Sequence, residues 1–213
     1  MKPFQFFEYI ALVIAGLLPI MNPFSTAPLF MSLTADLSPA ERNRQALLGS
    51  VYAFGILAVF LIAGRYIIDF FSISLPGIRI AGGLLIATLG FRMLFPQPAA
   101  SGAGAQKKVD IAFSPIAMPS LSGPGSISVV LAASARIPDD KEIAGHLIIL
   151  IGIALTAAIA WLVLRTSASF VRLLGPTGID ALTRIFGFLL VCIGVQYVLN
   201  GVSDFYLPLL QAK

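Results

Sequence analysis

The chain has 213 residues, of which 58% are hydrophobic and 11% charged, with a formal net charge of +4 and a mean hydropathy of +0.93. A water-soluble domain carries about 25% charged residues, so this chain has too few polar groups to coat a globule in water. These proportions argue against a cytosolic enzyme, a nucleic-acid binder and a disordered regulator, and leave an integral membrane protein in contact with a lipid bilayer.

A membrane-crossing helix takes about 20 mostly apolar residues, and six such segments can be traced. The first apolar stretch runs from Phe6 to Leu33, but Pro19, Pro23 and Pro28 interrupt it. Proline removes a backbone donor and clashes with the preceding turn, so a kinked or broken helix is expected there. Lys2 before a short apolar core also fits a cleaved signal peptide. Against that, Glu8 lies inside the candidate and the apolar character continues past any cleavage point.

Asp36 to Arg44 reads as a polar turn, with Ser38-Pro39-Ala40-Glu41 as a capped helix start. The second span is expected over Gln45–Gly64, a surface return over Arg65–Pro76, and the third span over Ile78–Phe95. Residues 96–110, rich in Pro, Gly, Ala and Ser and ending near Lys107 and Lys108, read as a linker. The fourth segment, Ile111–Ala135, holds Pro115, Pro119, Gly123, Pro124 and Gly125 among several serines, a poor helix by composition. The fifth and sixth spans are expected over Ile143–Leu164 and Ala181–Leu199. Cys192 lies in the last of these and reads as a small packed side chain.

The two halves resemble each other. Arg79-Ile80-Ala81-Gly82-Gly83-Leu84-Leu85 opens the third span and Arg184-Ile185-Phe186-Gly187-Phe188-Leu189-Leu190 the sixth. Pro19-Ile20-Met21-Asn22-Pro23 compares with Pro115-Ile116-Ala117-Met118-Pro119, and Asn22-Pro23-Phe24-Ser25 also with Gly123-Pro124-Gly125-Ser126. Three spans per half reverse the second half in the membrane, an inverted-topology repeat of the kind found in secondary transporters. The expected architecture is an all-α, polytopic helix bundle. Residues 1–95 form one three-span repeat, 96–110 the linker, 111–204 the second repeat and 205–213 a tail.

In hydrocarbon, free backbone N–H and C=O groups are tolerated only where protein buries them or they line a wet cavity. Two broken segments at corresponding positions therefore point to a central binding site. Half-helix N-termini suit a carboxylate and C-terminal carbonyls an ammonium or a cation, so an amino-acid zwitterion fits both. The candidate substrate-binding residues are Asn22, Pro23, Ser25 and Thr26 with Ser120, Ser122, Gly123, Gly125 and Ser126. The competing reading is that Pro and Gly only kink tightly packed helices and the serines bond back to the backbone.

Ionisable residues sit only at span edges. Arg79 and Arg184 are candidates for gating or for holding the broken segments, or simply snorkel to headgroups. Glu8, Asp69, Asp180, Asp204 and His146 are edge positions only, which argues against a buried acid relay and leaves open an end-located proton site, sodium held by carbonyls, or a facilitator. Arg42, Arg44, Arg92, Lys107, Lys108, Arg165, Arg172 and Arg184 fall on one side of the membrane. Lys2, Arg65, Arg79, Arg136, Lys141 and Lys213 fall on the side shared by both termini, a slight bias that places the termini outside the cytoplasm. No nucleotide, metal, cofactor or catalytic-triad motif is visible. Gly82-Gly83 and the small residues following Gly187 read as helix packing.

These residues resemble the MarC family of bacterial inner-membrane proteins. The resemblance rests on Leu18-Pro19-Ile20-Met21-Asn22-Pro23-Phe24, Leu37-Ser38-Pro39-Ala40-Glu41-Arg42, Arg79-Ile80-Ala81-Gly82-Gly83, and Pro115–Pro119 followed by Gly123-Pro124-Gly125-Ser126-Ile127. It implies a six-span protein grouped with small neutral amino-acid transporters, with glycine and alanine among the described substrates, and distantly related to LysE-type exporters. The expected function is secondary transport of a small neutral amino acid or similar zwitterion by alternating access, not catalysis. A non-transporting membrane scaffold or accessory protein is the alternative.

Overall fold

The computed structural model describes residues 3–95, 111–138, 140 and 142–211. The linker expected over 96–110 lies outside them, as do Lys2, Lys141 and Lys213 of the charge tally and the last two residues of the expected tail. Every regular element among the described residues is helical.

Helix α1 spans Pro3–Met21 and α2 Pro23–Leu33, bent by 44° at Asn22. Helix α3 runs over Pro39–Phe70 and α4 over Leu75–Leu94. A wide-turned π segment, Ala112–Leu121, precedes α5, Pro124–Ser134, at a bend of 61°. Helix α6 covers Glu142–Arg165 and α7 Ser167–Gln211, the latter broken at Gly175, whose φ is 65°. Among the described residues, four helices are long and apolar enough to cross a membrane, and up to six spans result if each bent pair counts as one.

Capping explains where the helices begin. Ser38 accepts from the Glu41 amide at 3.3 Å while Glu41 accepts from the Ser38 amide at 2.9 Å, a capping box that starts α3 six residues before the expected span. Ser74 accepts from the Gly77 amide at 3.2 Å and starts α4. The expected surface stretch Arg65–Pro76 is therefore a short turn, because α3 continues to Phe70. Past the sixth span, the helix continues through the expected tail as far as Gln211.

The helices pack in pairs. α1 lies against α6, and the π segment lies against α3; α2 packs on α7, and α5 on α4. α3 also packs on α6, and α4 on α7 over the most extensive interface among the described residues. Leu17, Met21, Phe30, Leu57, Leu61, Ile116, Leu121, Ile153 and Leu164 form the central core. Outward faces carry large apolar side chains such as Val59, Ile62, Phe91, Leu162 and Phe188, which suits contact with acyl chains. Cys192 lies on such a face and is exposed, not packed as expected. The reason is rotational: Gly187, Leu190 and Gly194 face α4, and Cys192 falls on the opposite side.

Candidate functional site: two helix breaks and an adjoining cavity

The first break is built on Asn22, which adopts a left-handed conformation at φ 39°, ψ 63°. Asparagine tolerates that region, and Pro23 follows at a helix position where its missing N–H is not needed. The Asn22 Oδ1 accepts from the Ser25 amide at 3.3 Å and caps α2, while its Nδ2 donates to Met93 Sδ on α4 at 3.3 Å. Thr26 Oγ1 donates to the Asn22 carbonyl at 3.1 Å, and Ser25 Oγ donates to Thr183 Oγ1 on α7 at 3.3 Å. Pro19 sits inside α1, so this first segment turns not there but at Asn22, where a left-handed residue and a proline coincide.

The second break is broader. Ser114 and Met118 are extended, at φ −131° and −125°, as residues preceding proline tend to be. Wide turns close from the Ile116 amide to the Ile111 carbonyl and from the Ser122 amide to the Ala117 carbonyl. Ser122 Oγ donates to the Ala117 carbonyl at 2.9 Å and Ser126 Oγ to the Leu121 carbonyl at 3.2 Å. Gly123 precedes α5 without a side-chain cap, and a Cβ there would lie 2.6 Å from the Pro119 carbonyl oxygen. Among the described residues, no side chain caps the positive end of α5.

The breaks adjoin: a Cβ on Gly125 would lie 3.2 Å from the Ile20 side chain and 3.2 Å from Ile86. Asn22, Pro23, Thr26, Ser122, Gly123, Gly125 and Ser126 are buried, and Ser25 and Ser120 are partly buried. The hydroxyls of Thr26, Ser122 and Ser126 bond back to carbonyls of their own segments. Met93 and Thr183, which hold the first break in place, carry no sequence signal of that role. Neither does Phe24, which stacks on Phe186 at 5.3 Å and 10° and lies 5.7 Å from Phe170.

A cavity of about 730 Å³ lies beside the breaks. Tyr9, Val13, Gly16 and Leu17 of α1 line it, with Val130 and Ala133 of α5, Ile148 and Ile149 of α6, and Tyr197 and Asn200 of α7. Arg79 and Arg136 also line it. The expected polar residues of the breaks are not among its walls. Along the chain, Val129 of α5, which also lines it, follows Ser126 by about 4.5 Å at helical rise, and Leu17 precedes Asn22 by about 7.5 Å.

Arg79 and Arg184, matched in sequence, have different surroundings. Arg79 is buried and pairs with Asp204, joining α4 to α7, and Arg136 lies 3.8 Å from the same carboxylate. Arg184 is exposed and pairs with Asp180 one turn away at 3.1 Å. A smaller cavity of about 250 Å³ collects Arg65, Asp69, Glu142 and His146 between α3 and α6.

The comparisons with known proteins agree on one family. The family model described as MarC family integral membrane protein matches residues 7–206. The inner membrane protein MarC of Escherichia coli (strain UTI89 / UPEC) is 43% identical over 211 residues, covering 93% of this chain and 96% of that protein. The proteins of the same name from Escherichia coli (strain K12) and Shigella flexneri are 42% identical over the same coverage. No solved structure matches.

Proposed function

The chain belongs to the MarC family of integral membrane proteins, and from that premise we propose that it is a secondary transporter of a small neutral amino acid or similar zwitterion. It is a multi-pass inner membrane protein with several apolar helices. In this reading the helices make six spans, arranged as two inverted three-helix halves that alternate access to a site between them. The solute is carried unchanged, with a proton or sodium ion as the coupling species, and no enzymatic step is involved.

One observation carries the reading: the packing of the two broken segments corresponds when the halves are exchanged. α1 on α6 corresponds to the π segment on α3, and α2 on α7 to α5 on α4. A Cβ on Gly49 would meet Ile116 at 2.8 Å, and one on Gly152 would meet Val13 at 2.4 Å. Between α4 and α7, Gly83 meets Gly194 and Gly90 meets Gly187. Such reciprocity is what a two-fold axis between the halves requires. It matches Gly83 with Gly187, one residue away from the register that aligns Arg79 with Arg184.

Physics then supports a central site. The uncapped α5 start favours a carboxylate, and the carbonyls ending α1 favour an ammonium group. Phe24, stacked on Phe186, closes one end of that site, about 16 Å along α7 from Tyr197.

The scaffold reading is favoured by a different observation, the back-bonded hydroxyls of Thr26, Ser122 and Ser126. Proteoliposomes separate the two. Uptake of labelled glycine, alanine or serine, measured with and without proton and sodium gradients, is expected for the transporter. Neither flux nor binding of any of the three would leave the scaffold.

A further inference from the structure

The geometry points to a second ligand site: the cavity of about 730 Å³ takes a monoanionic amphiphile, with a carboxylate or phosphate head at Arg136 and an apolar body along α1, α5 and α6. This goes beyond the transport reading and does not depend on it.

Size is the first argument. Pockets of about 300–1,000 Å³ hold drug-sized ligands, and glycine or alanine would leave most of this one empty. The walls are the second. Val13, Leu17, Val130, Ile148 and Ile149 offer hydrocarbon and no hydrogen-bonding side chain, so an apolar body gains by lying against them.

Charge is the third argument. The Arg79 side chain is 4% exposed and committed to Asp204. Arg136 is 59% exposed and lies 3.8 Å from that carboxylate, too far for a hydrogen bond. Its planar fork of donors is thus available for bidentate contact with a carboxylate or phosphate. Among the described residues lining the cavity, Arg79 and Arg136 are the charged ones, and Asp204 offsets one of them. One positive charge remains over, which selects a monoanion and disfavours an ammonium. Tyr197 and Asn200 add neutral polar groups.

The test uses the full chain in phosphatidylcholine nanodiscs and measures equilibrium binding of labelled octanoate, with empty discs subtracted. Saturable binding is expected, without competition from octylammonium. Arg136→Gln should weaken it at least tenfold. Gly16→Phe should abolish it by filling the cavity, which Gly16 lines and where an added Cβ meets nothing within 4 Å. No saturable binding, equal competition by octylammonium, or wild-type affinity in both variants would overturn the proposal. Adding phosphatidylglycerol to the discs identifies the source. Weakened octanoate binding in the wild type marks the site as a lipid headgroup site, and unchanged binding marks it as one for a soluble acid; both results support it. The assay has no gradient and reads no flux, so its failure is distinct from failure of amino-acid uptake.

Discussion

Gly83 of α4 and Gly194 of α7 meet backbone to backbone: a Cβ on either would lie 2.5 Å from the other's carbonyl oxygen. Gly90 and Gly187 repeat the arrangement seven residues along each helix, where a Cβ on Gly90 would be 2.5 Å from the Gly187 oxygen. In lipid, helices associate through close packing and not through expulsion of water, and small residues permit it. The seam of α4 and α7 therefore rests on four missing side chains.

Filling that seam should be costly. Gly83→Leu forces the two backbones apart and is expected to destabilise the protein by about 3 kcal/mol, read as a lowered unfolding midpoint in detergent. Gly55→Ala is the control, since a Cβ at Gly55 meets nothing within 4 Å. It should stabilise by about 0.5–1 kcal/mol through helix propensity alone.

Asn22 serves two structural purposes that separate by substitution. Asn22→Ala removes the cap on α2 and places an L side chain in the left-handed region, so a loss of about 2 kcal/mol is expected. Asn22→Gly keeps the backbone at ease and caps acceptably, and should cost less. Chemical unfolding of both variants gives the order; equal losses would mean that the left-handed backbone is not what the asparagine supplies.

The Arg79–Asp204 pair joins α4 to α7 with one partner buried. Asp204→Asn strands a guanidinium in the bundle and should destabilise by about 3 kcal/mol. Replacing both residues by leucine should recover most of that loss, because the uncompensated charge is then gone. A double-mutant cycle on thermal unfolding measures the coupling.

Ser126 and Ser122 test whether the solute sits at the α5 start. Each hydroxyl donates to a carbonyl of its own segment, so Ser126→Ala should alter stability by only about 1 kcal/mol. If the break binds solute, the same substitution lowers alanine uptake by proteoliposomes severalfold. Undiminished uptake by both serine-to-alanine variants would move the solute away from the α5 start.

Proline made the breaks legible, and Ser38 with Glu41 made the start of α3 legible, because both act locally. The exact turning point was less so: Pro19 is accommodated inside α1, and only the conformation of Asn22 selects where the chain bends. The cavity was not legible at all. Its walls are ordinary residues such as Val13, Val130 and Ile148, drawn from separate helices without any spacing that marks them. Arg79 and Asp204 were both noticed as edge charges, yet nothing in the chain announces that they pair across 125 positions. The serines were found as a group, and their bonding back to carbonyls follows the competing reading of the breaks; which carbonyls they reach, Ala117 and Leu121, depends on the wide turns of the π segment.

Cys192 is the chain's sole cysteine and points outward from α7. A maleimide-linked spin label can thus be attached in micelles without first removing other thiols. With one further cysteine engineered on an outward face of α3, pulsed dipolar spectroscopy would read the spacing of the halves directly, as a single population or as two.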